Sequence, residues 1–117
     1  MNEAFDGNSM NFRQYQQQAR LTAIYPRSHM IIYPALGLAG EAGETCEKVK
    51  KWIRDDNGVM TEERKQMISK EIGDTIWYCS NLATDCGLDL QRIANDNLAK
   101  LASRQERGKL QGSGDDR

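Results

Sequence analysis

Proline is scarce: Pro26 and Pro34 are the only two, and both lie in one short region. Proline lacks an N–H and its ring clashes with the preceding helical turn, so nothing beyond residue 34 breaks a helix that way. Histidine is scarcer. His29 stands alone, with no carboxylate or cysteine at ligand spacing, and reads as a structural or surface residue. The Glu-x-x-His pairs of a di-iron carboxylate bundle are therefore excluded. The three cysteines, Cys46, Cys79 and Cys86, are odd in number and contain no C-x-x-C pair. That argues against a disulfide framework and a zinc site, and for reduced, small core residues in a cytoplasmic protein. No stretch approaches the ~18 consecutive apolar residues needed to span a membrane. MNEAFDGNSM has neither a basic start nor an apolar run, so it is not expected to be a signal peptide. The formal net charge is -1, without the basic excess of a general nucleic-acid binder. Apolar residues are few as well, at 38% with a mean hydropathy of -0.74. So lean a chain of 117 residues makes one domain and is expected to bury apolar surface in a homo-oligomer.

What is present is helical. Phe12, Tyr15, Ala19 and Ala23 share one face of a helix predicted over 10–24. YPRSHMIIYP (25–34) reads as a connection with an extended MII stretch, and Pro34 fits the first turn of the next helix. That second helix is predicted from about 34 to 54. Its apolar stripe is Ala35, Leu38, Ala39, Ala42, Cys46, Val49 and Ile53, with Glu41, Glu44, Lys48 and Lys51 on the other side. DDNG (55–58) is a turn. Thr61 caps a third helix, which carries Ile68, Ile72, Thr75, Cys79, Leu82 and Cys86 on one face and stops at Gly87. Asp89 caps a fourth, whose inward face is Leu90, Ile93, Ala94, Asn97 and Leu101. Strand alternation is absent, so the expected fold is all-α, a four-helix bundle. Residues 1–9 form a flexible leader, 10–107 the helical domain, and 108–117 a Gly-rich tail that can serve as a lid.

Two acidic pairs carry the chemistry: Glu41-Ala-Gly-Glu44 and Glu71-Ile-Gly-Asp74, separated by 26 residues. Spacing i, i+3 puts both carboxylates of a pair on one side of a helix. Helices joined by a short turn usually pack antiparallel, which brings the pairs face to face. Four such carboxylates repel unless a cation sits between them. Oxygen-only clusters suit hard divalent ions, Mg²⁺ first with Mn²⁺ as a possible substitute. Gly43 and Gly73 each cost a helix about 1 kcal/mol relative to alanine, which hints at close backbone approach within the motif.

E-x-x-E, the spacer, then E-x-x-D resembles the signature of the MazG-like all-α nucleoside triphosphate pyrophosphohydrolases. YPALGLAGEAGETCEKVKKWIRD resembles that family's first metal helix and KEIGDTIWYCSNLATDCGLDL its second. NLAKLASRQERGKLQGSGDDR is similar to the C-terminal segment of a compact bacterial and phage-type branch, so the likeness covers about residues 12–117. The resemblance implies Mg²⁺-dependent hydrolysis of a nucleoside or deoxynucleoside triphosphate to the monophosphate and pyrophosphate, in a homodimer or homotetramer. It places Glu41, Glu44, Glu71 and Asp74 as metal ligands, with Glu41 or Glu44 as the base. Some members carry a further Glu just before the first motif Glu; here that position is Gly40.

The resemblance also implies a nucleotide contact for Tyr78, one turn after Asp74, and phosphate contacts for Asn97 and Lys100. Arg104 continues their polar stripe on the fourth helix. Lys48 and Lys51 follow Glu44 on its side of the second helix and can meet the triphosphate. Gln16 lies on the apolar face of the first helix, either as a reader of a base edge or as a buried, satisfied amide. Trp52 reads as a base contact or as core. The competing reading of the whole is a non-catalytic helical module whose acids bind ions or a basic partner.

Overall fold

Helix boundaries follow from capping chemistry. The computed structural model describes residues 9–117, and the expected leader lies, apart from Ser9, outside them. The described residues form α1 (Phe12–Arg20), a 3₁₀ turn (Arg27–His29), α2 (Ile32–Asp55), α3 (Glu62–Asp85) and α4 (Leu90–Glu106), with no strand among them. The all-α expectation holds. In α1 a capping box closes the N-terminus: Gln14 N–H donates to Asn11 Oδ1 and Asn11 N–H donates back to Gln14 Oε1, each at 2.8 Å. Thr61 caps α3 by accepting from Arg64 N–H at 3.1 Å, and Asp89 caps α4 by accepting from Gln91 N–H at 3.0 Å. Gly87 (φ 71°) ends α3 in a Schellman turn, with Gly87 N–H on Thr84 O and Leu88 N–H on Ala83 O. Gly108 (φ 68°) ends α4 in the same way.

Two boundaries depart from expectation. The first helix ends at Arg20 rather than 24: the chain tightens into i→i−3 bonds over Leu21–Ala23, and Tyr25, preceding Pro26, is disfavoured in the helical region. The MII stretch is not extended. Ile31 sits at φ 71°, ψ −54° between Met30 O and Ile32 N–H, a γ-turn that strains a β-branched residue by about 1–3 kcal/mol. Its N–H donates to Asp85 Oδ2 at 2.9 Å, which holds the turn.

Helices α2 and α3 pack along their length as an antiparallel hairpin; Gly37 meets Tyr78, Lys48 meets Glu71, and Asp56 meets Arg64 near the turn. On α2 the seam runs through Pro34, Leu38, Glu41, Thr45, Lys48 and Trp52; on α3 through Arg64, Ile68, Glu71, Thr75, Tyr78, Leu82 and Asp85. Alternating steps of four and three keep one stripe of each helix turned to the other. The expected inward faces are thereby corrected. Ala35, Ala39, Ala42, Cys46, Val49 and Ile53 of α2 are exposed, as are Ile72 and Cys86 of α3. On α4, Ile93, Asn97 and Leu101 are exposed, while Leu90 is buried. Apolar periodicity located a real stripe, but on α2 that stripe points away from the rest of the chain.

Helix α1 crosses α3 and the start of α4, held largely by polar clips. Gln16 donates to Thr84 Oγ1 and Leu88 O and accepts from Leu90 N–H. Asn81, fully buried, donates to Ala19 O and Trp77 O. The radius of gyration is 17.1 Å, against about 13 Å for a compact chain of this length.

Gly43 and Gly73 are not points of close approach: a Cβ on either meets nothing within 4 Å. Gly37 is. A Cβ there falls 2.1 Å from Cε1 of Tyr78, whose ring lies against the α2 backbone. Gly37→Ala is therefore expected to destabilise the protein by about 1–3 kcal/mol through overpacking. Gly43→Ala is expected to stabilise it by up to about 1 kcal/mol through helix propensity. Urea denaturation of the two variants should give opposite signs.

Candidate active site

Glu41 from α2 and Glu71 and Asp74 from α3 each bring a carboxylate oxygen into a group whose atoms lie within 4.8 Å of one another. The hairpin seam forces this, because Glu41 and Glu71 occupy facing stripe positions and Asp74 lies one turn beyond Glu71. Thr45 and Thr75 flank the acids and turn their hydroxyls back onto the carbonyls of Glu41 and Glu71, at 2.9 and 2.7 Å. They therefore add no competing donor. Glu41 is pushed up to about 7 from the ordinary glutamate value. The largest cause is its hydrogen bond with Glu71, followed by burial and by the charges of Glu71, Asp74 and Glu44. The crowding of negative charge is thus already expressed as a retained proton.

Glu44, the fourth acid expected at the cleft, lies outside this group and still acts on Glu41 through its charge. Its side chain is 59% exposed and turned to Lys48, whose Nζ lies 3.8 Å from both Glu44 and Glu71. Lys48 thus partly neutralises the acids from the turn side. Oxygen-only donors on two helices fit a hard divalent ion.

Two cavities adjoin Trp77 and Tyr78, the first of them beside the acids. One, of about 350 Å³, is lined by Thr22, Glu41, Asp74, Trp77 and Tyr78. The other, of about 340 Å³, shares Thr22, Trp77 and Tyr78 and continues to Ile24, Tyr25, Pro26, His29 and Tyr33. Tyr25 and Tyr33 stack with centroids 4.8 Å apart, and Trp77 meets Tyr78 edge-on at 5.1 Å. Behind them lies Asp85, its side chain fully buried. It accepts from Tyr25 Oη at 2.7 Å, Arg20 Nη1 at 2.8 Å and Ile31 N–H at 2.9 Å. Burial opposes its ionisation, yet the bonds from Ile31, Tyr25 and Arg20 hold its carboxyl below the usual range.

Of the residues singled out from sequence, Glu41, Glu71, Asp74 and Tyr78 meet at this site, with Lys48 and Glu44 at its edge. Gln16 does not: its amide is consumed by Thr84, Leu88 and Leu90, so it positions α1. Lys51 acts on Glu47 and Asp55. Trp52 is a seam residue about 16 Å along α2 from Glu41, at ~1.5 Å per residue. Its indole N–H is buried and has no partner among the described residues. Asn97, Lys100 and Arg104 line neither cavity. Lys100 Nζ donates to Asp115 Oδ1 at 3.0 Å, and the buried Arg104 guanidinium donates to the Asp115 carbonyl. These bonds fold the tail back onto α4, and within the tail Arg117 donates to the carbonyls of Lys109, Leu110 and Gly114. For Lys100 and Arg104 to meet a phosphate, the Asp115 carboxylate has to leave them.

Thr22, Tyr25, Tyr33, Trp77 and Asp85 escaped the sequence reading. In a chain with 7% aromatic residues, two Tyr-Pro pairs eight residues apart were the available signal.

Comparison with known proteins agrees with this geometry. The family model of the MazG nucleotide pyrophosphohydrolase domain matches residues 33–108. The Gene 37 protein of Mycobacterium phage L5 is 44% identical over 109 residues, covering 88% of this chain and 96% of that protein. No solved structure matches.

The raised Glu41 pKa has a linkage consequence. The unfolded chain releases this proton near the ordinary glutamate value of 4.5 and the folded chain only at about 7. Glu41 therefore destabilises the metal-free fold progressively from about pH 4.5 to about pH 7, and fully above that. Melting temperature measured in EDTA should fall across this window more in the parent than in Glu41→Gln. Added Mg²⁺ should recover the parent at pH 7.5 and leave the variant less changed.

Proposed function

Since the chain belongs to the MazG nucleotide pyrophosphohydrolase family, we propose that it hydrolyses a nucleoside or deoxynucleoside triphosphate to the monophosphate and pyrophosphate. The observation that carries this reading is the convergence of Glu41, Glu71 and Asp74 from two helices onto one cluster of oxygen donors. These three carboxylates are the residues that would hold Mg²⁺, with Mn²⁺ as a substitute. A divalent ion there supplies positive charge to the triphosphate and lowers the pKa of a bound water. Glu44, outside the ligand group and one turn from Glu41, keeps an exposed carboxylate beside Lys48. In this reading it accepts a proton as the water oxygen bonds to the α-phosphorus. The bond from that phosphorus to the bridging oxygen breaks, and pyrophosphate leaves. Lys48, between Glu44 and Glu71, faces the phosphates as a second source of positive charge.

The exposed stripe of α2 and the open shape support assembly as a homodimer or homotetramer. Ala35, Ala39, Ala42, Cys46, Val49 and Ile53 would then be covered by another copy. No helix among the described residues is long and apolar enough to cross a membrane. We place the activity on the nucleotide pool of the cytoplasm.

Incubation with each nucleoside triphosphate plus Mg²⁺, followed by product analysis, is expected to yield monophosphate and pyrophosphate, and EDTA to abolish turnover. Glu71→Gln and Asp74→Asn are expected to lower kcat/KM by at least about 100-fold, the scale of losing several kcal/mol of charge stabilisation. Glu44→Gln should lower kcat by about 100-fold or more while Mg²⁺ affinity, read by calorimetry, stays near the parent's. Stepwise release of orthophosphate would assign a different hydrolase. Absence of turnover with every nucleotide would leave the non-catalytic module.

A further inference from the structure

We propose that residues 108–117 are an autoinhibitory latch: the Asp115 carboxylate occupies a strip of three cations on α4, Lys100, Arg104 and Arg107, until a polyphosphate displaces it. The proposal rests on the pyrophosphohydrolase reading for the displacing anion, a triphosphate, and on its own geometry for the latch.

The three cations recur at i, i+4 and i+7, so they share one face of α4. Each is engaged by the tail. Asp115 Oδ1 lies 3.0 Å from Lys100 Nζ and 3.5 Å from Arg104 Nη2. Arg104 also donates to the Asp115 carbonyl, and Arg107 Nη2 donates to Arg117 O at 3.0 Å. One carboxylate thus serves two cations, and Lys100 ahead of Arg104 holds that carboxyl below the usual range.

The strip suits a phosphate better than its present occupant. The Arg104 side chain is 5% exposed, while that of Asp115 is 84% exposed. A buried guanidinium needs all its donors bonded, yet Arg104 Nε is buried with no partner among the described residues. A phosphate takes the Nε–Nη2 edge of an arginine with two oxygens at once; the tail uses Nη2 alone. An exposed carboxylate, screened by water and salt, is a weak hold on such a cation.

The tail is built to leave in one piece. Arg117 donates to the carbonyls of Lys109, Leu110 and Gly114 and so closes the segment on itself. Gly112 (φ 129°) and Gly114 (φ 88°) supply the turns, in a region that disfavours other residues. Leu110 is exposed, so apolar packing adds little. Beyond the turn at Gly108, the polar contacts that tie the tail to α4 run, among the described residues, to the three cations. Release breaks those contacts and leaves the closure by Arg117 intact.

The test titrates the full chain with inorganic tripolyphosphate by calorimetry, in EDTA. Without a cation the carboxylate cluster repels a polyanion, so binding reports on α4. Asp115→Asn is expected to bind tripolyphosphate about three- to fivefold more tightly than the parent, the scale of one exposed ion pair. Asp116→Asn removes the same charge one residue on, from a side chain with no ion pair among the described residues, and should stay within about twofold of the parent. Adding Lys100→Gln to Asp115→Asn should erase the gain. The heteronuclear NOE of the Gly112 and Gly114 amides should fall as tripolyphosphate saturates the parent, and be low in Asp115→Asn from the start. With Mg²⁺, Asp115→Asn should lower KM for a triphosphate by a similar factor.

Equal affinity in the parent and Asp115→Asn overturns the latch. So does an equal gain in Asp116→Asn, which would reduce the effect to net charge, and so do tail glycines that stay rigid with tripolyphosphate bound. Normal turnover with KM unchanged in Asp115→Asn overturns it too and leaves the hydrolysis reading in place. Tail release by tripolyphosphate, with no turnover of any triphosphate, supports the latch and removes the hydrolysis reading instead.

Discussion

Everything in this fold depends on a helix–helix seam that is polar at its centre. Two 24-residue helices are normally zipped by apolar side chains, but here Glu41, Thr45 and Lys48 of α2 face Glu71, Thr75 and Tyr78 of α3. Three carboxylates approach closely enough that Glu41 keeps its proton to about pH 7. Such an arrangement is unfavourable by itself, and it persists because its ends are secured. Gly37 lets the Tyr78 ring lie on the α2 backbone on one side, and the Asp56–Arg64 ion pair closes the turn on the other. A cation in the seam turns the same repulsion into attraction, which makes the least stable part of the interface the part suited to binding.

The rest of the chain orients that seam with few apolar contacts. Ala19, Pro34, Ala83 and Leu90 are the buried apolar side chains among the described residues, whereas Asn81, Ser80 and Arg104 are buried and polar. Hydrogen bonds replace bulk: Gln16 ties α1 to the turn between α3 and α4, Asn81 ties α3 to α1, and Asp85 ties α3 to the connection before α2. Directional bonds set angles that soft packing leaves loose. They also leave apolar surface unused, and the unused surface on α2 is what a second copy would cover in the assembly proposed above.

The cleft that results has a charged end and an aromatic end with shared residues between them. Glu41 and Asp74 meet Tyr78 and Trp77 within one cavity, and the same two aromatic residues open the next. The hairpin supplies the carboxylates together with Tyr33, Trp77 and Tyr78, and the connection between α1 and α2 adds Tyr25, Pro26 and His29.

Local chemistry was legible in the sequence. The caps at Thr61 and Asp89, the stop at Gly87 and the pairing of Glu41 with Glu71 and Asp74 all follow from interactions within a few residues or from helical spacing. Which stripe of α2 turns toward α3 did not, because periodicity finds an apolar face without saying what covers it. Close approach was read into Gly43 and Gly73, yet only the packed hairpin shows that it occurs at Gly37. Gln16 and Arg104 looked available to a ligand, and their partners, Thr84 and Asp115, come from distant positions or a folded-back tail. The sequence by itself determined the helices and the acids that two of them carry, since both depend on short-range order. Tertiary structure alone decided that Glu44 stands apart from the other three acids. It alone gathered Tyr25, Tyr33 and Trp77 around a buried Asp85, because those contacts join residues that only the folded chain brings together.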